Sequence, residues 1–307
     1  MSRYIVIRIL QAFLALIGIT VLVFILVRAS GDPTHLIITP TSTPEEIANL
    51  KKQLGLDKSY PEQFVVFVSG LVRGEFGDSI IKRKPAAEMI KEALPNTIKL
   101  GLPAFFIAMA LALGLGVLAA ARRDSIYDAG VKLIAVLGQA LPGFWVAIMA
   151  MLLFSVRLRL LPVAGAGTLK HYVLPVGTMV FFLLPGMMRL VRSSMLDVLD
   201  AEYIRLARIK GLSEAKIIWK HALRNALIGP LTTAGMIFAS LITGAVITEI
   251  IFNWPGMGRL LVEAVTARDF PVVQAITMLV AAMDLGMNIV VDIAYAFVDP
   301  QIRHQKS

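Results

Sequence analysis

Five stretches, at 9–27, 100–121, 133–156, 171–188 and 225–248, run for 18 to 24 residues without a single Asp, Glu, Lys or Arg. At 1.5 Å per helical residue, about 20 such residues cross a hydrocarbon core about 30 Å thick, so each stretch is long enough for a spanning helix. Composition agrees: 57% of the 307 residues are hydrophobic and 17% charged, against roughly 45–50% and 25% in a soluble domain. A water-soluble fold of this size would be short of polar surface, and disordered or fibrous classes are excluded with it. A sixth span is expected within Phe270 to Val298, where Asp284 and Asp292 interrupt otherwise apolar sequence. The expected fold class is an all-α membrane protein with six transmembrane helices.

The first run lies between Arg8 and Arg28. It exceeds the ~7–15 apolar residues of a signal-peptide core, so residues 1–29 read as a terminus and a retained helix. Six spans put both termini on one side. The short loops on that side (Arg3 and Arg8; Arg122, Arg123 and Lys132; the segment Arg189 to Arg224; Arg303 and Lys306) carry fifteen Lys or Arg, against five on the other: Arg157, Arg159, Lys170, Arg259 and Arg268. Positive-inside bias then places the termini and the 189–229 segment in the cytoplasm. The net charge of +9 is thereby read as a topology signal, and no nucleic-acid partner is expected.

Between the first two spans, residues 30–97 read as a small external insertion. Within it Thr43-Pro44-Glu45-Glu46 is a helix start and Leu54-Gly55-Leu56-Asp57 a helix end and turn. Residues 98–299 form the five-helix core and 300–307 a tail. Pro142, Pro175 and Pro185 fall inside predicted spans, where each kinks the helix or marks its boundary.

Several chemistries are missing. With no cysteine there is no disulfide, thiol nucleophile or cysteine-ligated metal. No Gly-x-x-x-x-Gly-Lys-Ser/Thr phosphate loop occurs, so energy from ATP would have to enter through another subunit. His35, His171, His221 and His304 are scattered and form no His-Glu-x-x-His pair. No catalytic, cofactor or metal residues are expected in this chain.

The segment from Arg189 to Gly229 joins two spans that a handful of residues could have joined. Leu196, Leu199, Tyr203 and Leu206 recur at spacings of three and four and predict one apolar stripe on a helix whose other faces carry Asp197, Asp200, Glu202, Arg205 and Arg208. Gly211 breaks the pattern, and Ser213 is a plausible N-cap for a second helix through Ile217, Ile218, His221, Leu223 and Leu227. A helix, glycine turn and helix of this kind either lies on the lipid surface, held there by its basic residues, or fills a cleft on a partner.

The stretch Glu202-Tyr203-Ile204-Arg205-Leu206-Ala207-Arg208-Ile209-Lys210-Gly211-Leu212, followed by His221-Ala222-Leu223-Arg224-Asn225-Ala226, resembles the EAA loop of ATP-binding-cassette importer permeases, in the version of the dipeptide, oligopeptide and nickel permease family. Similarity continues through Gly31-Asp32-Pro33, Leu54-Gly55-Leu56-Asp57, Gly74-x-Phe76-Gly77-x-Ser79, Arg192-Ser193-Ser194-Met195, Phe252-Asn253-Trp254-Pro255-Gly256-Met257-Gly258-Arg259 and Asp299-Pro300, in the family's order. The general pattern Glu-Ala-Ala-x3-Gly-x9-Ile-x-Leu-Pro is met only by Ala207, Gly211 and Leu223. Arg205-Leu206 replace Glu-Ala, and His221 and Arg224 replace Ile and Pro, as in the peptide and nickel branch.

The resemblance implies a type I importer permease fold and a multi-pass subunit of a bacterial or archaeal cytoplasmic membrane. It also implies a second homologous permease, two ATPase subunits holding ATP and Mg, and an extracytoplasmic solute-binding protein. Coupling to the ATPases is then expected at Glu202, Tyr203, Arg205, Ala207, Arg208, Lys210, Gly211, Leu212, His221, Arg224 and Asn225. Short peptides are the expected cargo, with nickel chelates, glutathione or other small solutes as alternatives. A secondary transporter or channel is the rival reading.

Polar groups inside spans are costly and mark candidate pathway positions. Asp284, Asn288 and Asp292 are four apart along one face of the sixth span. Asp284 divides between a pathway group and a structural partner; Asn288 and Asp292 lean to structure. Ser240, Gly244 and Thr248 form a small-residue series on the fifth span, suited to helix packing, with Glu249 expected within reach of water at its outer end. Trp254 reads as an interfacial anchor.

Overall fold

The computed structural model describes residues 2–29, 31, 34, 43–53 and 55–298. The expectations for Asp32, Pro33, Leu54, Asp299, Pro300, the tail 300–307 with Arg303, Lys306 and His304, and His35 lie outside the described residues, as does the Asp292 side chain. Two compact units are present: residues 2–96 with 255–286, and residues 97–254 with those from 287 onward. The described residues are helical, with one isolated bridge between Asp78 and Pro85.

In the first unit, α1 (Ser2–Ala29) carries the first apolar run. Helix α2 (Pro44–Gln53) starts as predicted. The Thr43 N–H donates to Glu46 Oε2 at 2.9 Å and the Glu46 N–H to Thr43 Oγ1 at 3.3 Å, a reciprocal cap that satisfies two orphan donors. Helix α3 (Tyr60–Arg73) begins with Pro61 in its first turn, and the Glu62 carboxylate accepts from the Ser59 N–H and hydroxyl, each at 2.9 Å. Val23 and Val27 of α1 bury against Phe270.

Helix α4 (Ala86–Ala121) is 36 residues long and begins well before the second apolar run. Helix α5 (Ile126–Ala140) is followed by α6 (Gly143–Met151), whose last turns widen to π geometry over Leu152–Arg157. The third predicted span is therefore not one rod: the two halves meet at a 98° bend. Pro142 is the cause, because the residue before a proline is driven to extended geometry, and Leu141 has ψ 128°.

Helix α7 (Lys170–Leu199) runs unbroken through Pro175 and Pro185, both buried. Pro185 is accommodated because Gly138 of α5 faces it: a Cβ on Gly138 would come within 2.2 Å of the proline ring. Α short helix α8 (Glu202–Ile209) follows, then a continuous return through α9 (Glu214–Lys216), a π segment Ile217–Ala222 and α10 (Leu223–Ala226).

The predicted fifth span is divided into α11 (Ile228–Ala239), α12 (Leu241–Gly244) and α13 (Val246–Ile251). Side-chain hydroxyls make the breaks tolerable. Ser240 Oγ donates to the Ile237 carbonyl at 3.1 Å and Thr243 Oγ1 to the Ser240 carbonyl at 2.9 Å, so carbonyls released by the broken ladder keep donors. Helix α14 (Met257–Thr266) and α15 (Phe270–Val298) complete the described residues. Among the described residues four helices (α1 from Val6, α4, α7 and α15 to Val291) are long and apolar enough to span, with a fifth if the bent α5–α6 pair crosses as one.

Candidate functional site

The 189–229 segment is mostly helix. α7 carries on ten residues past Arg189, stops at Leu199 and turns through Asp200 and Ala201 into α8. The α8 C-terminus is closed by a Schellman motif, with the Gly211 N–H donating to the Arg208 carbonyl at 2.9 Å and the Leu212 N–H to the Ala207 carbonyl at 3.2 Å. Gly211 sits at φ +76°, the left-handed geometry a Cβ disfavours, and open space surrounds the position a Cβ would take. Ser213 occupies the N-cap position of α9 with extended backbone (ψ 144°), although its side chain makes no cap bond.

The predicted apolar stripe is corrected. Leu199 ends one helix and Glu202 starts another, so Leu196, Leu199, Tyr203 and Leu206 do not share a face. The buried residue of α8 is Ile204, which enters a cluster with Val117 and Ala120 of α4, Val191, Met195 and Leu199 of α7, and Ile217, Ala222 and Ala226 of the return helix. Ala207 and Leu212 pack against the same cluster. Ile204 is thus a keel that seats α8 on the ends of two long helices. On the opposite side Leu206 and Ile209 are 56% and 80% exposed, next to exposed Glu202, Tyr203, Arg205 and Lys210.

Polar bonds brace the turn. Arg208 Nε donates to Glu214 Oε1 at 2.8 Å across Gly211, and that hydrogen bond raises the guanidinium above its ordinary pKa. Asn225 Nδ2 donates to the Tyr203 hydroxyl at 2.8 Å, joining α8 to α10. Of the eleven predicted coupling residues, Glu202, Tyr203, Arg205 and Lys210 lie on or beside the exposed face, Arg208 and Asn225 brace it, and Ala207 and Leu212 seat it. His221 and Arg224 stand on the return helix, half-buried and exposed respectively.

The predicted pathway residues are not brought together in the same way. Ser240 stands at the break between α11 and α12, Gly244 ends α12 and Thr248 lies on α13, so the three do not form one series on a continuous helix. Thr248 and Glu249 are buried, and Thr97 Oγ1 donates to Glu249 Oε1 at 2.6 Å. Glu249 is therefore sealed in protein, not reached by water as expected. Trp254 is likewise no interfacial anchor: it is buried, its ring edge-on to Tyr172 with centroids 4.7 Å apart. Asp284 is half-buried and Asn288 exposed on α15.

Three polar contacts escaped the sequence. Buried Asp128 binds Arg192 and Lys132. Thr97 meets Glu249 across 152 positions. Asp269, also buried, accepts from the Ser79 hydroxyl and from the Ile80 N–H, the latter at 3.0 Å. Only Arg192 and Ser79 carried a motif signal, and their partners are too distant in sequence for spacing to find.

Helices that suit a bilayer, together with a short amphipathic helix seated on the ends of α4 and α7, define a multi-pass membrane protein. The chain belongs to the binding-protein-dependent transport system inner membrane component family: that family's model matches residues 112–304, and the N-terminal model of such membrane components matches residues 1–101. It is a permease subunit of an ATP-binding-cassette importer, a family that works with ATPase and binding-protein partners.

Similar proteins include a putative peptide transport system permease protein of Brucella abortus (strain 2308), 40% identical over 99% of this chain and all of that protein. The oligopeptide transport system permease protein AppB of Bacillus subtilis (strain 168) is 36% identical over 99% and 100%. The glutathione transport system permease protein GsiC of Salmonella choleraesuis (strain SC-B67) is 38% identical over the same shares. Among solved structures, a chain of an amino acid ABC transporter matches with TM-score 0.55 at 15% identity, covering 68% of this chain and 94% of its own. That likeness concerns the fold.

Proposed function

We propose that this permease imports short peptides by alternating access, driven through α8 by two ATPase subunits that bind ATP and Mg. One observation carries the coupling role. α8 buries a single keel residue, Ile204, in the ends of α4 and α7 while turning Leu206, Ile209, Arg205 and Lys210 outward. A force on the outward face is transmitted to long helices because the packed interior between them is close to incompressible. The orientation that fits puts α8 and both termini in the cytoplasm, in agreement with the positive-charge bias. A second, homologous permease completes the pathway between the two chains, with Ser240, Asp284 and Asn288 its candidate polar groups, and an extracytoplasmic binding protein delivers the solute.

Peptide cargo is supported by the names of the relatives: two are peptide permeases, and glutathione is itself a tripeptide. Because the chain has no cysteine, Leu206→Cys supplies a unique crosslinking site in this subunit. In the assembled transporter it should crosslink to an ATPase subunit, whereas Ile204→Cys should not. Failure of Leu206→Cys to reach any ATPase would remove the coupling assignment. Calorimetry of the cognate binding protein with dipeptides, longer peptides and glutathione tests the cargo.

A further inference from the structure

Helix α3 carries three parallel stripes. Phe64, Phe67 and Leu71 form the first, and two of them pack on Phe24 of α1, with ring centroids 5.2 Å (Phe64) and 6.1 Å (Phe67) away. Glu62, Ser69 and Arg73 form the polar stripe, together with Val66. Between these two lies Pro61, Val65, Val68 and Val72, at spacings of four, three and four, which is one face of an α-helix. It is apolar throughout, yet Val65 and Val72 are 66% and 83% exposed.

The position of this uncovered stripe along α1 says what covers it. Phe24 precedes the last residue of α1 by five, which is about 7.5 Å along the helix axis. The Arg28 guanidinium sits 5.4 Å from the Phe24 ring centroid, so the aromatic cluster lies where a spanning helix gives way to its charged flank. An amphipathic helix in the membrane plane buries its apolar side about 5–10 Å into the boundary between headgroups and acyl chains, the same depth. Around Phe24, the α1 residues Leu22, Ile25 and Leu26 are also exposed and apolar, a surface suited to lipid at the same level of α1.

We propose that α3 lies in the bilayer interface, with Pro61, Val65, Val68 and Val72 facing the upper acyl chains and Glu62, Ser69 and Arg73 facing water. It is a lipid-docking helix that holds the insertion flat against the membrane beside the first span. The assignment is independent of what α8 does and of what is carried.

The test places nitroxide labels at Val65→Cys, Val72→Cys and Ser69→Cys, one at a time, in the assembled transporter. The transporter is reconstituted in nanodiscs of phosphatidylethanolamine and phosphatidylglycerol, with this chain bearing the one reactive thiol. Collision with oxygen and with a water-soluble nickel chelate is then measured by electron paramagnetic resonance. Labels at 65 and 72 should collide severalfold more with oxygen than with the chelate, and the label at 69 should show the reverse. Equal access of all three labels to the chelate would place the stripe in water and overturn the proposal. Protection of 65 and 72 from both reagents would put a protein on the stripe, such as the solute-binding partner, and overturn it equally.

Discussion

Asp128, buried in the first turn of α5, is gripped by Arg192 of α7, whose Nε and Nη2 each donate to one carboxylate oxygen, Nη2 to Oδ2 at 3.0 Å. Lys132, one turn further along α5, reaches Oδ2 at 2.8 Å. The bond lies two turns before the end of α7, where Leu199 joins the cluster beneath α8. It therefore ties a second helix to the element that seats α8.

Loss of this clasp should cost about 1.5–3 kcal/mol, the range for a hydrogen bond to a charged group. The 3–5 kcal/mol of a deeply buried broken pair is too much here, because Lys132 is half-exposed and keeps a solvated countercharge beside Asp128. Arg192→Ala should lower the thermal midpoint of the purified transporter, and Arg192→Lys should recover only part of the loss because an ammonium cannot grip both oxygens at once. Equal midpoints for wild type and Arg192→Ala would show that the clasp is not holding α5 to α7.

Thr97→Val should destabilise through Glu249, whose carboxyl is fully buried and loses the 2.6 Å hydroxyl donor. Loss of one hydrogen bond costs about 0.5–1.5 kcal/mol, and more where the acceptor is charged. Thr97→Ser, which keeps the hydroxyl, should cost less than Thr97→Val. Glu249→Cys should resist a charged, water-soluble thiol reagent in the resting transporter. Rapid modification there would return Glu249 to a water-lined path.

What the sequence disclosed divides along the distance over which its signals act. Charge-free runs, the Thr43–Glu46 cap and the glycine that ends α8 are local, and each was legible because a few adjacent residues determine it. The 98° bend at Pro142 was half legible: a proline marks a kink or a boundary, but its angle is set by how α5 and α6 pack on α7. The stripe through Leu196 and Tyr203 failed because periodicity continued across Asp200 and Ala201, where the chain leaves one helix and starts another. Trp254 and Glu249 were misplaced for a different reason. A tryptophan or a carboxylate near a span end usually meets water or headgroups, and only the tertiary fold supplies Tyr172 and Thr97 as their partners.

The start of α3 should respond to acid with a definite sign. Hydrogen bonds from Ser59, its hydroxyl first and then its backbone N–H, hold the Glu62 carboxyl below its ordinary pKa. A depressed folded value means the cap contributes above the ordinary glutamate range, near pH 4.3, and is lost as pH falls through the lower, folded value. Amide exchange at Ser59, whose N–H donates to the Glu62 carboxylate, should therefore be slower in wild type than in Glu62→Gln near neutral pH. The difference should vanish once the carboxyl is protonated. A difference that persisted unchanged to the acid end would show that the carboxylate's charge is not what holds the cap.

Gly211→Asp should separate insertion from coupling. Its φ of +76° disfavours any side chain, but no atom stands within 4 Å of the new Cβ, so the local cost is the backbone preference alone, about 1 kcal/mol. That is too little to unfold a helix seated by Ile204. Membrane insertion and assembly should survive, while a carboxylate now projects from the turn that brings Lys210 and Leu212 to the end of α8. Substrate-stimulated ATP hydrolysis and uptake in reconstituted vesicles should both be abolished, with Gly211→Ala intermediate because it adds the strain without the charge. An assembled Gly211→Asp transporter that retained full substrate-stimulated hydrolysis would mean that the motor does not bear on this turn.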